Sequence, residues 1–251
     1  MTAAAPILEI DGLSLESKGK KKLLNGVSFA LYPGESLGLV GESGSGKTLT
    51  LRAAAGLLPS GVIQTGGQVT CTGGRAMIFQ DPVSSLDPLA PAAAQLAEVA
   101  YYRQHLSRKE ARTAAVDLLT MLGLPGSLAR RYPHQLSGGQ CQRILIAMAL
   151  ACKPRVLLCD EPTTALDVTV QRQILEIIGN LQKELGFAIL FVTHNLAIAS
   201  AMCSGLCVMK DGRIVERGST AAVLQNPRES YTRMLIEAVL PLPDQERSAG
   251  A

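Results

Sequence analysis

Gly41-Glu42-Ser43-Gly44-Ser45-Gly46-Lys47-Thr48 fits G-x-x-x-x-G-K-[ST], the pattern of a phosphate-binding loop. It follows the apolar run Ser36-Leu37-Gly38-Leu39-Val40, which reads as a buried strand, and precedes residues 49–55, which read as a helix. Strand, glycine loop and helix are the context that this motif needs. Its glycines let backbone N–H groups converge on phosphate oxygens without Cβ clashes. The helix N-terminus adds partial positive charge at the same point. Lys47 is expected to reach the β/γ-phosphates and the Thr48 hydroxyl to ligate Mg²⁺. Gly41 through Thr48, with Leu49 following, are the candidate nucleotide contacts. A flexible glycine loop without a ligand is the bland alternative, and the flanking elements argue against it.

The bulk composition narrows the rest. At 251 residues the chain suits one domain with sub-lobes. With 47% hydrophobic but only 4% aromatic residues, its core is expected to be aliphatic, as in α/β proteins. A net charge of +3 is too small to argue for nucleic acid. Lys18, Lys20, Lys21 and Lys22 read as a solvated hairpin turn. The cysteines Cys71, Cys141, Cys152, Cys159, Cys203 and Cys207 form no C-x-x-C pair and read as reduced, buried thiols of a cytosolic protein. Cys203 and Cys207 invite a metal-site reading, but the strand-like setting of Cys207 favours core packing. No signal-peptide pattern is visible at the N-terminus. The longest apolar run, residues 144–152, is too short to span a bilayer, so a membrane role must come through partners.

Residues 7–40 alternate apolar and polar, with turn signals at Asp11-Gly12 and Pro33-Gly34, and read as an antiparallel layer feeding the P-loop strand. Residues 62–80 read as a further strand pair punctuated by Gly66-Gly67 and Gly73-Gly74. Residues 92–122 read as a helical insert with Leu96, Val99, Val116, Leu119 and Leu122 at helical spacing. Further helices are expected at 138–151 and 169–185, buried strands at 156–159 and 188–192, and a hairpin around Asp211-Gly212. From residue 240 the chain is Pro-rich, polar and expected to be loose.

The remaining chemistry gathers at strand ends. Asp160 can hold Mg²⁺ through its water shell, and Glu161 can polarise the water that attacks a γ-phosphate. His194 and Gln80 each follow a strand, where nucleotide-site residues collect in open α/β sheets. Gln80 is thus a candidate for both metal and water. Leu136-Ser137-Gly138-Gly139-Gln140 places a capping serine and two glycines before a helix, a second anion site.

That last stretch resembles the signature motif of ABC-type ATPases, and the other motifs follow in that family's order. Gln80 resembles the Q-loop glutamine, residues 156–161 the Walker B strand with its catalytic glutamate, Thr164-Ala165-Leu166-Asp167 the D-loop, and His194 the switch histidine. The resemblance covers residues 7 to about 240. It implies an α/β fold with a RecA-like P-loop NTPase core, an antiparallel β layer and an inserted α-helical subdomain at about 88–150. The ATPase domain would span 1–240, with a tail at 241–251. It implies ATP and Mg²⁺ as ligands and a head-to-tail dimer with a second homologous ATPase subunit. There Ser137, Gly138, Gly139, Gln140 and Asp167 would face ATP held by the partner. It further implies two transmembrane permease subunits at the cytoplasmic membrane, with a coupling helix docked beside the Gln80 loop, and an extracytoplasmic solute-binding protein served indirectly. Nucleic acid is not an expected partner.

Residues 79–88, Tyr132-Pro133-His134-Gln135 and residues 226–232 resemble the dipeptide/oligopeptide/nickel importers. The short link between Gly67 and Gln80 and the short C-terminus look more like the nickel-uptake ATPases, so nickel is the first expectation and peptides the alternative. Residues 17–22 hold no aromatic where many ABC ATPases stack one on adenine. A non-transport ABC ATPase would bring long coiled coils or paired ATP modules, and neither pattern occurs here. A purely structural nucleotide-binding module fits poorly with an intact Glu161 and His194.

Overall fold

The computed structural model describes residues 5–164 and 166–239. The loose tail expected at 241–251 lies outside the described residues. Two sheets form the scaffold. In the larger, strands follow the order β5 (Arg75–Ile78), β6 (Val156–Asp160), β7 (Ala188–Thr193), β3 (Ser36–Val40), β8 (Gly205–Lys210) and β9 (Arg213–Ser219). All pairings are parallel except the β8–β9 hairpin. β3, β6 and β7 are buried along their whole length, which is why they read as unbroken apolar runs. Their side chains still alternate by face. Leu157, Cys159, Ile189 and Phe191 join one core cluster, and Val156, Leu158, Leu190 and Val192 the other.

The smaller sheet is antiparallel, in the order β2 (Lys22–Leu31), β1 (Leu8–Ser17) and β4 (Val62–Cys71). Together with α1 (Lys47–Ala55), which contributes Leu51, Ala53 and Ala54, it closes the second core cluster. α5 (Val168–Leu185) covers the opposite face through Ile174, Ile178 and Leu181.

Two glycine signals work differently from their sequence reading. Asp11-Gly12 is no turn. Gly12, at φ 61°, makes a bulge within β1, and Gly66-Gly67 lies opposite it within β4. Gly67 has φ 74°, and a Cβ there would strike the backbone of Asp11 and Gly12, so the two irregularities interlock. Residues 62–80 likewise form no strand pair, because β4 and β5 belong to different sheets. The chain turns at Gly73, at φ 106°, where a Cβ would meet the Arg155 side chain at 2.6 Å. The Gly74 carbonyl accepts from the amides of Arg155 and Val156 at 2.7 and 3.2 Å, which draws β5 onto β6.

The segment between these strands is helical. α2 (Ala92–Gln104) and α3 (Arg108–Met121) pack together, and α4 (Gly138–Ala151) packs on both and on β5. Val116 is exposed and Val99 only half-buried; the buried stripe of α3 is instead Ala111, Ala115 and Leu119. Small alanines let the helices approach closely, and a hydrophobicity pattern weighted to large residues overlooks them. Among the described residues, α6 (Leu196–Met202), α7 (Thr220–Gln225) and α8 (Ser230–Val239) follow β7. No described helix is long and apolar enough to cross a membrane.

All the cysteines are free, and Cys71 and Cys152 are only half-buried. Burial pushes the Cys203 and Cys207 thiols up to about 12, and among the described residues no cluster of His, Cys, Asp or Glu could hold a metal. Cys141 and Cys159 are fully buried, so neither is open to thiol reagents.

Candidate functional site

Because β5, β6, β7 and β3 run parallel, their C-terminal ends share one edge of the sheet. Gln80 follows β5, Glu161 follows β6, His194 follows β7, and the P-loop follows β3. Ligands of open α/β sheets bind along this edge.

The P-loop is held from behind. The Ser45 carbonyl accepts from Gly212 N–H at 3.0 Å, and the Gly212 carbonyl accepts from Asn25 N–H at 2.9 Å, so the β8–β9 turn braces the loop against β2. Gly46 caps α1 at φ 105°, and a Cβ there would meet Leu24 at 2.5 Å. Glu42, Ser43 and Gly44 are exposed, Ser45 is buried, and Leu49 lies half-buried in the first turns of α1. Among the described residues, the amides of Gly44, Gly46, Lys47 and Thr48 meet no protein acceptor. Four converging donors at a helix N-terminus make a cradle for an anion of phosphate type. Lys47 is 5% exposed, and its Nζ donates to the carbonyls of Gly41 and Glu42 at 2.8 and 2.7 Å. Burial lowers its ammonium from the ordinary lysine value, against the opposing pull of Glu161, Asp160 and Glu42.

Thr48 Oγ1 donates to Asp160 Oδ1 at 3.0 Å. Burial, with some help from Glu161, raises the Asp160 carboxyl above its usual range despite Thr48, Arg52 and Lys47. A hydroxyl and a desolvated carboxylate side by side are hard oxygen donors, the set that suits Mg²⁺.

Glu161 is one residue beyond β6 and has φ 46°, unusual for a residue with a side chain. Its amide donates to the Val192 carbonyl at 2.9 Å, which holds this backbone in place. Thr164 Oγ1 donates to Oε2 at 2.8 Å, and His194 Nδ1 lies 3.0 Å from Oε1. Burial works to raise the Glu161 carboxyl, but the bonds from His194 and Thr164 and the charges of His194 and Lys47 outweigh it. Glu161 is therefore a carboxylate at neutral pH. A carboxylate only accepts, so the Nδ1 of His194 carries the proton of that bond. An ionised, half-open glutamate beside a lysine-lined anion cradle can act as a base on a water.

Not every candidate joins this cluster. Gln80 is exposed and makes no side-chain hydrogen bond among the described residues. Ser137 caps α4 in a capping box: its N–H donates to Gln140 Oε1 at 3.0 Å, and its Oγ accepts from Gln140 N–H at 3.3 Å. Gly138 is exposed, while a Cβ on Gly139 would meet Val170 Cγ1 of α5 at 2.6 Å. Asp167 caps α5, accepting from the amides of Thr169 and Val170 at 3.1 and 3.0 Å. No hydrogen bond links Ser137–Gln140 or Asp167 to the P-loop among the described residues. Two contributors escaped the sequence reading. Thr164 stood only within a motif, and Tyr231, whose hydroxyl accepts from Glu42 N–H at 3.0 Å, comes from a helix 189 residues away along the chain.

The site and the fold define a P-loop ATPase of the cassette type. The ABC transporter family model matches residues 24–164. The chain is 41% identical over 260 residues to the peptidoglycan transport ATP-binding protein YejF of Agrobacterium fabrum, covering 94% of this chain and 48% of that protein. It is 39% identical over 255 residues to the probable D,D-dipeptide transport ATP-binding protein DdpD of Escherichia coli K12, covering 92% and 78%. It thus spans about half the length of the first relative and over three quarters of the second. Among solved structures, the dimeric post-hydrolysis cassette MJ0796 bound to ADP and Pi superposes with a TM-score of 0.75 at 27% identity, covering 85% of this chain and 98% of that one. The chain belongs to the ABC transporter family.

Proposed function

We propose that this chain drives an importer of small peptides, hydrolysing ATP at the P-loop edge. The amides of Gly44, Gly46, Lys47 and Thr48 receive the phosphates, with Lys47 neutralising their charge. Thr48 and Asp160 are the residues that would hold Mg²⁺, which supplies charge neutralisation on the β/γ-phosphates. Glu161, kept ionised by His194 and Thr164, takes a proton from the attacking water. Gln80 joins this edge from β5.

Among the described residues, Ser137, Gly138, Gly139, Gln140 and Asp167 make no hydrogen bond to their own P-loop, which supports a role toward nucleotide held by a second ATPase subunit. The dimeric state of the MJ0796 cassette is consistent with that pairing. A groove of about 860 Å³ between the end of β5, α2 and α4 suits a helix of a membrane subunit. Phe79, Ser85, Val99, Arg103 and Met148 line it, rather than Gln80 itself. Docking there would seat the chain on two permease subunits at the cytoplasmic face.

The observation that carries the solute class is the pair of relatives near 40% identity over more than nine tenths of this chain, one named for peptidoglycan transport and the other for probable D,D-dipeptide transport. They favour peptides over nickel, the first expectation from the sequence. Uptake of a labelled dipeptide and of ⁶³Ni²⁺ in a strain lacking the gene tests the choice. The expected result is lost dipeptide uptake with nickel uptake intact. Lost nickel uptake alone would reverse the order.

A further inference from the structure

Residues 226–232, which carry part of the resemblance noted above, include Tyr231, the hydrogen-bond partner of Glu42. In the fold they lie against the back of the P-loop. Glu216 of β9, 8% exposed, anchors the segment: its carboxylate accepts from the amides of Arg228 and Glu229 at 2.8 and 3.2 Å, just before α8. That fixes the start of α8 and hence Tyr231, which is 6% exposed. Lys210, the last residue of β8, sets its Nζ 4.8 Å from the centre of the Tyr231 ring. The ring is thereby held by the helix start and by Lys210, and its hydroxyl reaches the P-loop at Glu42.

The bond it makes there is specific. Tyr231 accepts the N–H of Glu42 at 3.0 Å, and Lys47 Nζ donates to the carbonyl of Gly41 at 2.8 Å. These two groups belong to a single peptide unit, Gly41–Glu42, which is gripped at both ends. Gly41 has φ 148°, and a Cβ there would strike the Met209 carbonyl, so this peptide cannot retreat toward β8. Lys47 is the movable partner, since its ammonium must serve phosphate oxygens as well as loop carbonyls. Tyr231 is the fixed one.

We propose that Tyr231 is a positioning residue for ATP: it holds the Gly41–Glu42 peptide in place, so that Lys47 is aimed along the cradle whichever acceptor it serves. The inference rests on the nucleotide site proposed above. It makes α8 and the segment before it part of the ATP site's frame, although they touch no substrate.

Tyr231→Phe removes the hydroxyl and keeps the ring and its cation. Loss of one neutral hydrogen bond predicts roughly fivefold weaker binding of a fluorescent ATP analogue to the full chain. The KM for ATP should rise by a similar factor with kcat little changed, because binding lost equally in ground and transition states appears in KM. Hydrogen exchange at the Glu42 amide should also quicken. Glu216→Gln, which loosens the anchor, should act in the same direction but more weakly. A merely structural tyrosine would lower the unfolding temperature and leave affinity and KM alone, and that result would overturn the inference. A wild-type chain that fails to bind the analogue would overturn the nucleotide-site reading and this inference with it. Wild-type binding with an unaltered Tyr231→Phe would overturn the inference only.

Discussion

Glu161 and Glu216 show how the same residue type is put to different ends by its neighbours. Glu161 sits in left-handed backbone at φ 46°, a conformation that costs roughly 1–3 kcal/mol and persists only where the surroundings impose it. The Val192 carbonyl and the Thr164 and His194 side chains impose it here, which aims the carboxylate outward from the sheet edge. Glu216 instead binds backbone amides and serves stability. Burial works to raise its carboxyl, but the amides of Arg228 and Glu229 hold it below the ordinary 4.5. A lowered folded value means that its contribution is present above pH 4.5 and fades as pH falls through the folded value. Glu216→Gln should therefore lower the unfolding temperature at pH 7, and the gap between variant and wild type should shrink as thermal scans are taken below pH 4.5. A gap that widens in acid would mean that the carboxylate does not hold those amides.

At the scale of elements, the junction of α4 and α5 carries the signature stretch. Gly139 is there for packing: a Cβ would come within 2.6 Å of Val170, whose branched side chain has little rotamer freedom on a helix. Gly139→Ala should destabilise the fold by about 1–3 kcal/mol, and Val170→Ala should recover much of the loss in chemical denaturation; additive losses would place the strain elsewhere. What the sequence made legible follows the same logic of locality. The P-loop, the strands expected at 156–159 and 188–192 and the Asp211-Gly212 hairpin are local patterns, and each forms, the two strands one residue longer than expected. Asp11-Gly12 and Gly66-Gly67 misled because a bulge and a turn use the same residues, and only the partner strand tells them apart. The split of β4 from β5 depends on Arg155, some eighty residues on from Gly73. Tyr231 was legible as part of a motif but not as a neighbour of Glu42, since nothing local links them.

Taken whole, the molecule places its phosphate cradle, Asp160, Glu161 and His194 along one sheet edge, while Ser137–Gln140 and Asp167 sit at other helix starts with no hydrogen bond to that edge among the described residues. That separation is what the proposed pairing with a second ATPase subunit requires. The groove beside Phe79, proposed above as the dock for a membrane subunit, is tied through β5 to the same edge. The account's central claim is that this edge hydrolyses ATP with Glu161 as its base. The most direct test is phosphate release from γ-labelled ATP by the wild-type and Glu161→Gln chains, with binding of an ATP analogue measured on the same samples. Glu161→Gln should bind the analogue as tightly as wild type and release phosphate on the order of a hundredfold or more slowly, the usual contribution of general-base catalysis. A Glu161→Gln chain that releases phosphate at the wild-type rate would contradict it.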